Sequence, residues 1–179
     1  AIFETILIKN KKPVFLDEHI QRFKNNLKIL KFDTIIDDLL LQKIILDGIN
    51  KLNIKKEEYG SIRINYSRGI NITRSINVDS FESNFNMNNL WIEFYIISLD
   101  FDPITVHISE EEKRNEYSLL SSCKTFNYIQ SIQALIEANE KNFDDSLLLN
   151  TKNELCCGTT FNLLLRRDNK WLTPRKESG

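Results

Sequence analysis

This sequence lacks long apolar runs. The longest, LWIEFYIISL, contains Glu93 and falls far short of the roughly 20 residues a membrane-crossing helix needs. No charged and then apolar leader opens the chain. Cysteine is scarce: there are 3, and Cys156 and Cys157 are adjacent. That spacing makes neither a disulfide framework nor a CxxC zinc pattern, so reduced thiols and a cytoplasmic location are expected. An excess of one charge is missing too, with 24 Lys and Arg against 25 Asp and Glu. No dense basic run carries aromatic residues, so no nucleic-acid groove is expected. Internal repeats and low-complexity tracts are also absent.

What is present suffices for a globular protein. In 179 residues, 41% are hydrophobic, enough to bury a real core as one domain or two small ones. The chain begins at Ala1 with the strand-like FETILI and stops after LTPRKESG with no closing element. Both ends read as cut, and a piece of a longer protein is expected.

The patterns predict an α+β chain. FETILI and PVFL flank the polar NKKP and read as a hairpin. Asp17 stands where a helix N-cap would, before Ile20, Phe23, Leu27 and Leu30 at helical spacing, giving a helix over about 18–31. A second helix is expected over 37–51. SIRINYS and NLWIEFYIISL read as strands, separated by the Asn-rich NVDSFESNFNMNN, a long loop. Asp102-Pro103 is the expected boundary between two lobes, 1–102 and 103–179. Beyond it the spacing predicts a strand (ITVHIS), a charged linker (EEEKRNE), a helix over 127–140, a buried strand (DSLLLN) and a hairpin turning on RDNK.

One residue stands out by its surroundings. Lys124 is the only charged side chain between Glu116 and Glu137. A nucleophilic lysine must lose its proton near neutral pH. Moving its pKa from about 10.4 to about 7–8 takes roughly 4 kcal/mol of destabilisation of the ammonium. An apolar setting without acidic partners supplies that. The plainer reading, favoured by composition alone, is a surface lysine at a strand-to-helix turn with its head in water.

The ordered set FET, FLDEHIQRF, IRINYSRG, KTFNY, DDSLLLN, CCGTTFNLLL and WLTP resembles the class IV aminotransferase family through nearly the whole chain. These are fold type IV, pyridoxal-phosphate-dependent enzymes that include branched-chain and D-amino acid aminotransferases and aminodeoxychorismate lyases. The resemblance implies a two-lobe class IV fold with the second lobe incomplete: a small α/β lobe, then the first part of a larger cofactor-binding lobe. It implies pyridoxal 5'-phosphate as cofactor, an amino acid or aminodeoxychorismate as substrate, and a homodimer. A non-catalytic binding protein retaining the fold is the alternative.

Residue by residue, the resemblance places Lys124 at the family's Schiff-base lysine, with Asn127 completing K-x-x-N. Arg22, in His19-Ile20-Gln21-Arg22-Phe23, falls at the family's phosphate-binding arginine, which suits a guanidinium fork. His19 falls at a framework position, and His107, in a strand, reads as structural. Tyr128 lies near where some members set a tyrosine by the cofactor's phenolic oxygen; core packing is the alternative. Phe3 corresponds to an aromatic on the substrate side and Arg74 to a carboxylate-binding arginine, against core packing and a solvated loop residue respectively.

Two departures bear on chemistry. Aligned on Asn162, Cys157 and Gly158 occupy the family's E-G, so a thiol replaces the glutamate that faces the pyridine nitrogen. A thiol of pKa about 8.5 is mostly neutral and makes no such ion pair. Glu154, three residues away in an extended segment, is expected to point to the opposite face. The family's later phosphate-binding turn would lie beyond Gly179.

Overall fold

The computed structural model describes residues 1–32, 34–69, 74 and 89–179. It divides into two compact units, Ala1–Asp100 and Phe101–Gly179. The expected Asn-rich loop lies outside the described residues, apart from its final Asn89, which begins a strand.

The first unit is a four-stranded antiparallel sheet in the order β2-β1-β3-β4, carrying two helices. Strand β1 (Ile2–Lys9) turns into β2 (Lys12–Pro13) through Asn10 and Lys11, both at positive φ (52° and 60°). The expected four-residue NKKP loop is thus a two-residue turn whose twist matches the flanking strands. Helix α1 (Leu16–Ile29) opens after Phe15, itself left-handed at φ 54°, and has no side-chain cap. Asp17 therefore lies in the first turn, where its charge favours the helix dipole, and is not the N-cap. Helix α2 (Asp38–Lys51) follows the expectation: Asp37 caps it by accepting from the Leu39 and Leu40 amides.

Strands β3 (Tyr59–Ser67) and β4 (Asn89–Ile97) complete the sheet, with β3 paired to both β1 and β4. Strand alternation puts Ile2, Ile6 and Ile8 of β1 in one row with Ile62 and Ile64 of β3. Helix α1 adds Ile20, Phe23 and Leu27, and α2 adds Leu41, Ile45 and Ile49, closing one aliphatic core. Glu4 sits in the middle of that β1 row and is 0% exposed.

The second unit holds a three-stranded sheet, order β5-β6-β7, and a separate hairpin, β8-β9. Strand β5 (Val106–Arg114) runs parallel to β6 (Asp145–Asn150), and helix α3 (Ile129–Glu140) connects them. The charged EEEKRNE stretch is mostly not a linker, since β5 continues through it to Arg114 across an irregularity between Ile108 and Lys113. Polar residues can continue an edge strand whose outer side faces water. Strand β7 (Leu155–Gly158) pairs antiparallel with β6, again with a register shift. Strands β8 (Leu165–Arg167) and β9 (Lys170–Leu172) turn on Asp168 and Asn169, both at positive φ, as the RDNK motif predicts.

Phe23 is fully buried at the centre of the first unit's core. Phe23→Ala is expected to lower the unfolding free energy by about 4 kcal/mol in urea titrations followed by circular dichroism.

Candidate active site

In the first unit the geometry centres on Glu4. A carboxylate in an aliphatic row needs a partner, and α1 supplies it from one face. Arg22 Nε donates to Glu4 Oε1 at 2.7 Å and its Nη2 to Oε2 at 2.6 Å. His19 Nδ1 lies 2.9 Å from the same Oε2. One helical turn separates His19 from Arg22, so both reach the same side of the sheet. The hydrogen bond to Glu4 raises the pKa of Arg22 above its already high value, against the opposing effect of burial. The arginine side chain is nevertheless 54% exposed.

Phe3, one residue along β1, is buried with the Arg63 guanidinium 4.2 Å above its ring centroid. Arg74 is exposed. Arg68 closes the carboxyl end of α1 by donating to the Leu30 and Lys31 carbonyls.

In the second unit, Lys124 lies between a short 3-10 turn (Leu119–Ser122) and α3, and is partly buried. Asn127 N–H donates to Thr125 Oγ1 at 3.2 Å, and Tyr128, also partly buried, is the residue immediately before α3. Lys124 and Tyr128 thus share one short segment that ends at a helix N-terminus.

Cys157 and Gly158 lie on β7, opposite Leu148 and Leu147 of β6. Gly158 N–H donates to the Phe161 carbonyl at 2.9 Å, and the Phe161 ring lies where a β-carbon on residue 158 would be. The turn is anchored further by Thr159 Oγ1 donating to Asp145 Oδ1 at 2.7 Å. Burial raises the thiol pKa of Cys157, opposed by the charge of Arg114, and pushes Cys156 up to about 11. Both thiols are therefore neutral near pH 7. Arg114 ends β5, and its Nε is buried with no hydrogen-bond partner among the described residues.

Glu154 lies just before β7. The pairing of β7 with β6 shifts register between Leu149–Leu155 and Leu148–Cys157, leaving Cys156 without a partner in the ladder. The Glu154 carboxylate is occupied by Asn150 Nδ2 at 2.9 Å and Arg175 Nη2 at 3.1 Å.

Sequence reasoning did not single out Glu4 or Glu137. For Glu4 a signal existed, since Ile2, Glu4, Ile6 and Ile8 share one strand parity and a carboxylate in that row demands a cation. Glu137, on α3 and 4% exposed, gave no such signal. It accepts from Ser109 Oγ (2.6 Å), Lys141 Nζ (2.9 Å) and the Glu110 amide (3.1 Å), with His107 Nε2 at 2.9 Å. His107 is structural here, as its strand position suggested.

Burial alone would raise the Glu137 pKa, but these donors together outweigh it and hold the carboxyl well below the usual carboxylate range. A depressed folded-state pKa contributes stability above the unfolded-state value, and that contribution is lost as pH falls through and below the carboxylate range. Urea midpoints are expected to fall between about pH 6 and about pH 3, with a flatter slope in Glu137→Gln. At neutral pH, Glu137→Ala is expected to cost about 2 kcal/mol, because Ser109 and His107 lose their acceptor.

Comparison with known proteins adds to this geometry. A Synechocystis sp. protein assigned by name as a branched-chain-amino-acid aminotransferase is 27% identical over 164 residues, covering 90% of this chain and 51% of its own. A Legionella pneumophila crystal structure assigned by name as a 4-amino-4-deoxychorismate lyase superposes with a TM-score of 0.82 at 26% identity, over 99% of this chain and 63% of its own. The PLP-bound form of a hypothetical aminotransferase from Mycobacterium tuberculosis gives 0.77 at 17% identity, over 99% of this chain and 62% of its own, a likeness of fold alone. The chain therefore spans about half the length of its curated relative and about three-fifths of these structures. The family described as amino-transferase class IV matches residues 1–179 throughout, and the chain belongs to that family.

Proposed function

We propose that the protein is a pyridoxal-phosphate-dependent enzyme acting on an amino acid, as an aminotransferase, or on aminodeoxychorismate, as a lyase. The observation that carries this reading is the class IV match along the whole chain, which includes the Lys124–Asn127 segment. The second unit would be the first part of a larger cofactor-binding lobe, and the family resemblance extends the proposal to a homodimer.

The donor set suits most of the cofactor. Arg22 would bind the phosphate through the guanidinium donors that Glu4 leaves free. Lys124 would hold the cofactor covalently through Nζ; the substrate amine would displace it, and the freed lysine amine would then take and return the proton at the substrate α-carbon. Tyr128, Cys157 and Gly158 would contact the ring, while Phe3 and Arg74 would face the substrate. Bound pyridoxal 5'-phosphate supplies an electron sink for the bond broken at that carbon.

The ring-nitrogen position is the exception, because a neutral thiol there holds no proton on the nitrogen by ion pairing. That favours chemistry less dependent on a strong sink. Pyruvate release from aminodeoxychorismate, measured beside amino-group transfer to 2-oxoglutarate, separates lyase from transaminase.

Purified protein given pyridoxal 5'-phosphate is expected to show a visible absorbance band that Lys124→Ala abolishes, with turnover falling roughly a thousandfold. A band that persists in that variant removes Lys124 from its role. Cys157→Glu is expected to raise amino-group transfer to 2-oxoglutarate by about tenfold. An unchanged rate means the thiol does not limit transfer.

A further inference from the structure

Glu4 is an expensive residue for a sheet interior. The other inward members of its row are isoleucines, so packing alone gives no reason for a carboxylate. Burying one unpaired costs several kcal/mol, and pairing recovers that only with good geometry. The geometry here is a two-point fork: Arg22 Nε on Oε1 at 2.7 Å and Nη2 on Oε2 at 2.6 Å, with His19 closing on Oε2 at 2.9 Å.

An arginine carries five N–H donors, and the fork uses one from Nε and one from Nη2. Nη1 makes no hydrogen bond among the described residues, and the side chain as a whole is half-exposed, which leaves that edge for a ligand to use. The buried edge fixes the guanidinium plane, and the outer edge is aimed by it.

We infer that Glu4 is a positioning residue for Arg22, holding the guanidinium by its Nε–Nη2 edge so that Nη1 is presented, already oriented, to a phosphate group. This rests on the reading of Arg22 as the cofactor's phosphate anchor. Two effects compete. The carboxylate partly offsets the guanidinium's charge, which weakens attraction for an anion. Against that, a free arginine is ordered only at binding, and ordering a side chain of that kind costs up to about a tenfold loss of affinity. Phosphate is recognised by directed hydrogen bonds as well as charge, so orientation wins.

The test compares pyridoxal 5'-phosphate with pyridoxal, which lacks the phosphate, by fluorescence titration of the full-length protein. Glu4→Gln is expected to raise the dissociation constant for pyridoxal 5'-phosphate about tenfold and leave that for pyridoxal unchanged. A merely structural Glu4 would weaken both alike, and that result overturns the inference. Arg22→Ala separates the two levels. If it weakens phosphate-dependent binding while Glu4→Gln does not, positioning by Glu4 is wrong; if it has no effect either, Arg22 is not the anchor.

Glu4→Gln buries an amide against a cation and could unfold the unit, so a second measurement uses the unmodified protein. The Arg22 Nε–H resonance, identified by its loss in Arg22→Lys, is expected to stay protected from solvent exchange before and after pyridoxal 5'-phosphate is added. Loss of protection on addition, or a large change in its chemical shift, means that Glu4 has given up that edge, and the inference fails.

Discussion

Glu4 occupies an inward position between Ile2 and Ile6, where a carboxylate is tolerable only if a cation reaches it. Arg22 and His19 do so from α1, spaced by one helical turn. The aliphatic contacts of Ile20, Phe23 and Leu27 drive α1 onto the sheet, but such contacts are non-directional and would accept small slides. The fork on Glu4 does not accept them, because displacement by one residue leaves a buried charge unpaired. Hydrophobic burial thus supplies most of the affinity of helix for sheet, and one ion pair supplies the register.

The second unit uses the same device with the roles exchanged. Glu137 comes from the helix, and strand β5 supplies His107, Ser109 and the Glu110 amide, with Lys141 added from just beyond α3. These bonds fix α3, and α3 begins directly after the segment holding Lys124 and Tyr128. The position of a proposed catalytic lysine therefore depends on a carboxylate that takes no part in its chemistry.

In the proposed site, Cys157 would stand where the family resemblance puts a glutamate. A glutamate there would be an anion; a half-buried thiol, raised further from ionisation, is not. The resolved charge acting on it is the cation Arg114. A cofactor ring held as proposed would therefore meet no anion from residue 157.

Periodicity determined the elements: two helices and the flanking strands of the first unit, α3, β6 and the last hairpin all follow from residue spacing, because 3.6- and 2-residue repeats are local properties. Motif order in the sequence likewise identified the class IV resemblance and pointed to Lys124 and Arg22. The tertiary structure alone decided which polar atoms are paired. Phe15 at positive φ made Asp17 a first-turn residue and not a cap; Asn150 and Arg175 became the partners of Glu154; and Glu4 became the partner of Arg22. Each depends on a neighbour brought close by folding, whose identity no local pattern encodes.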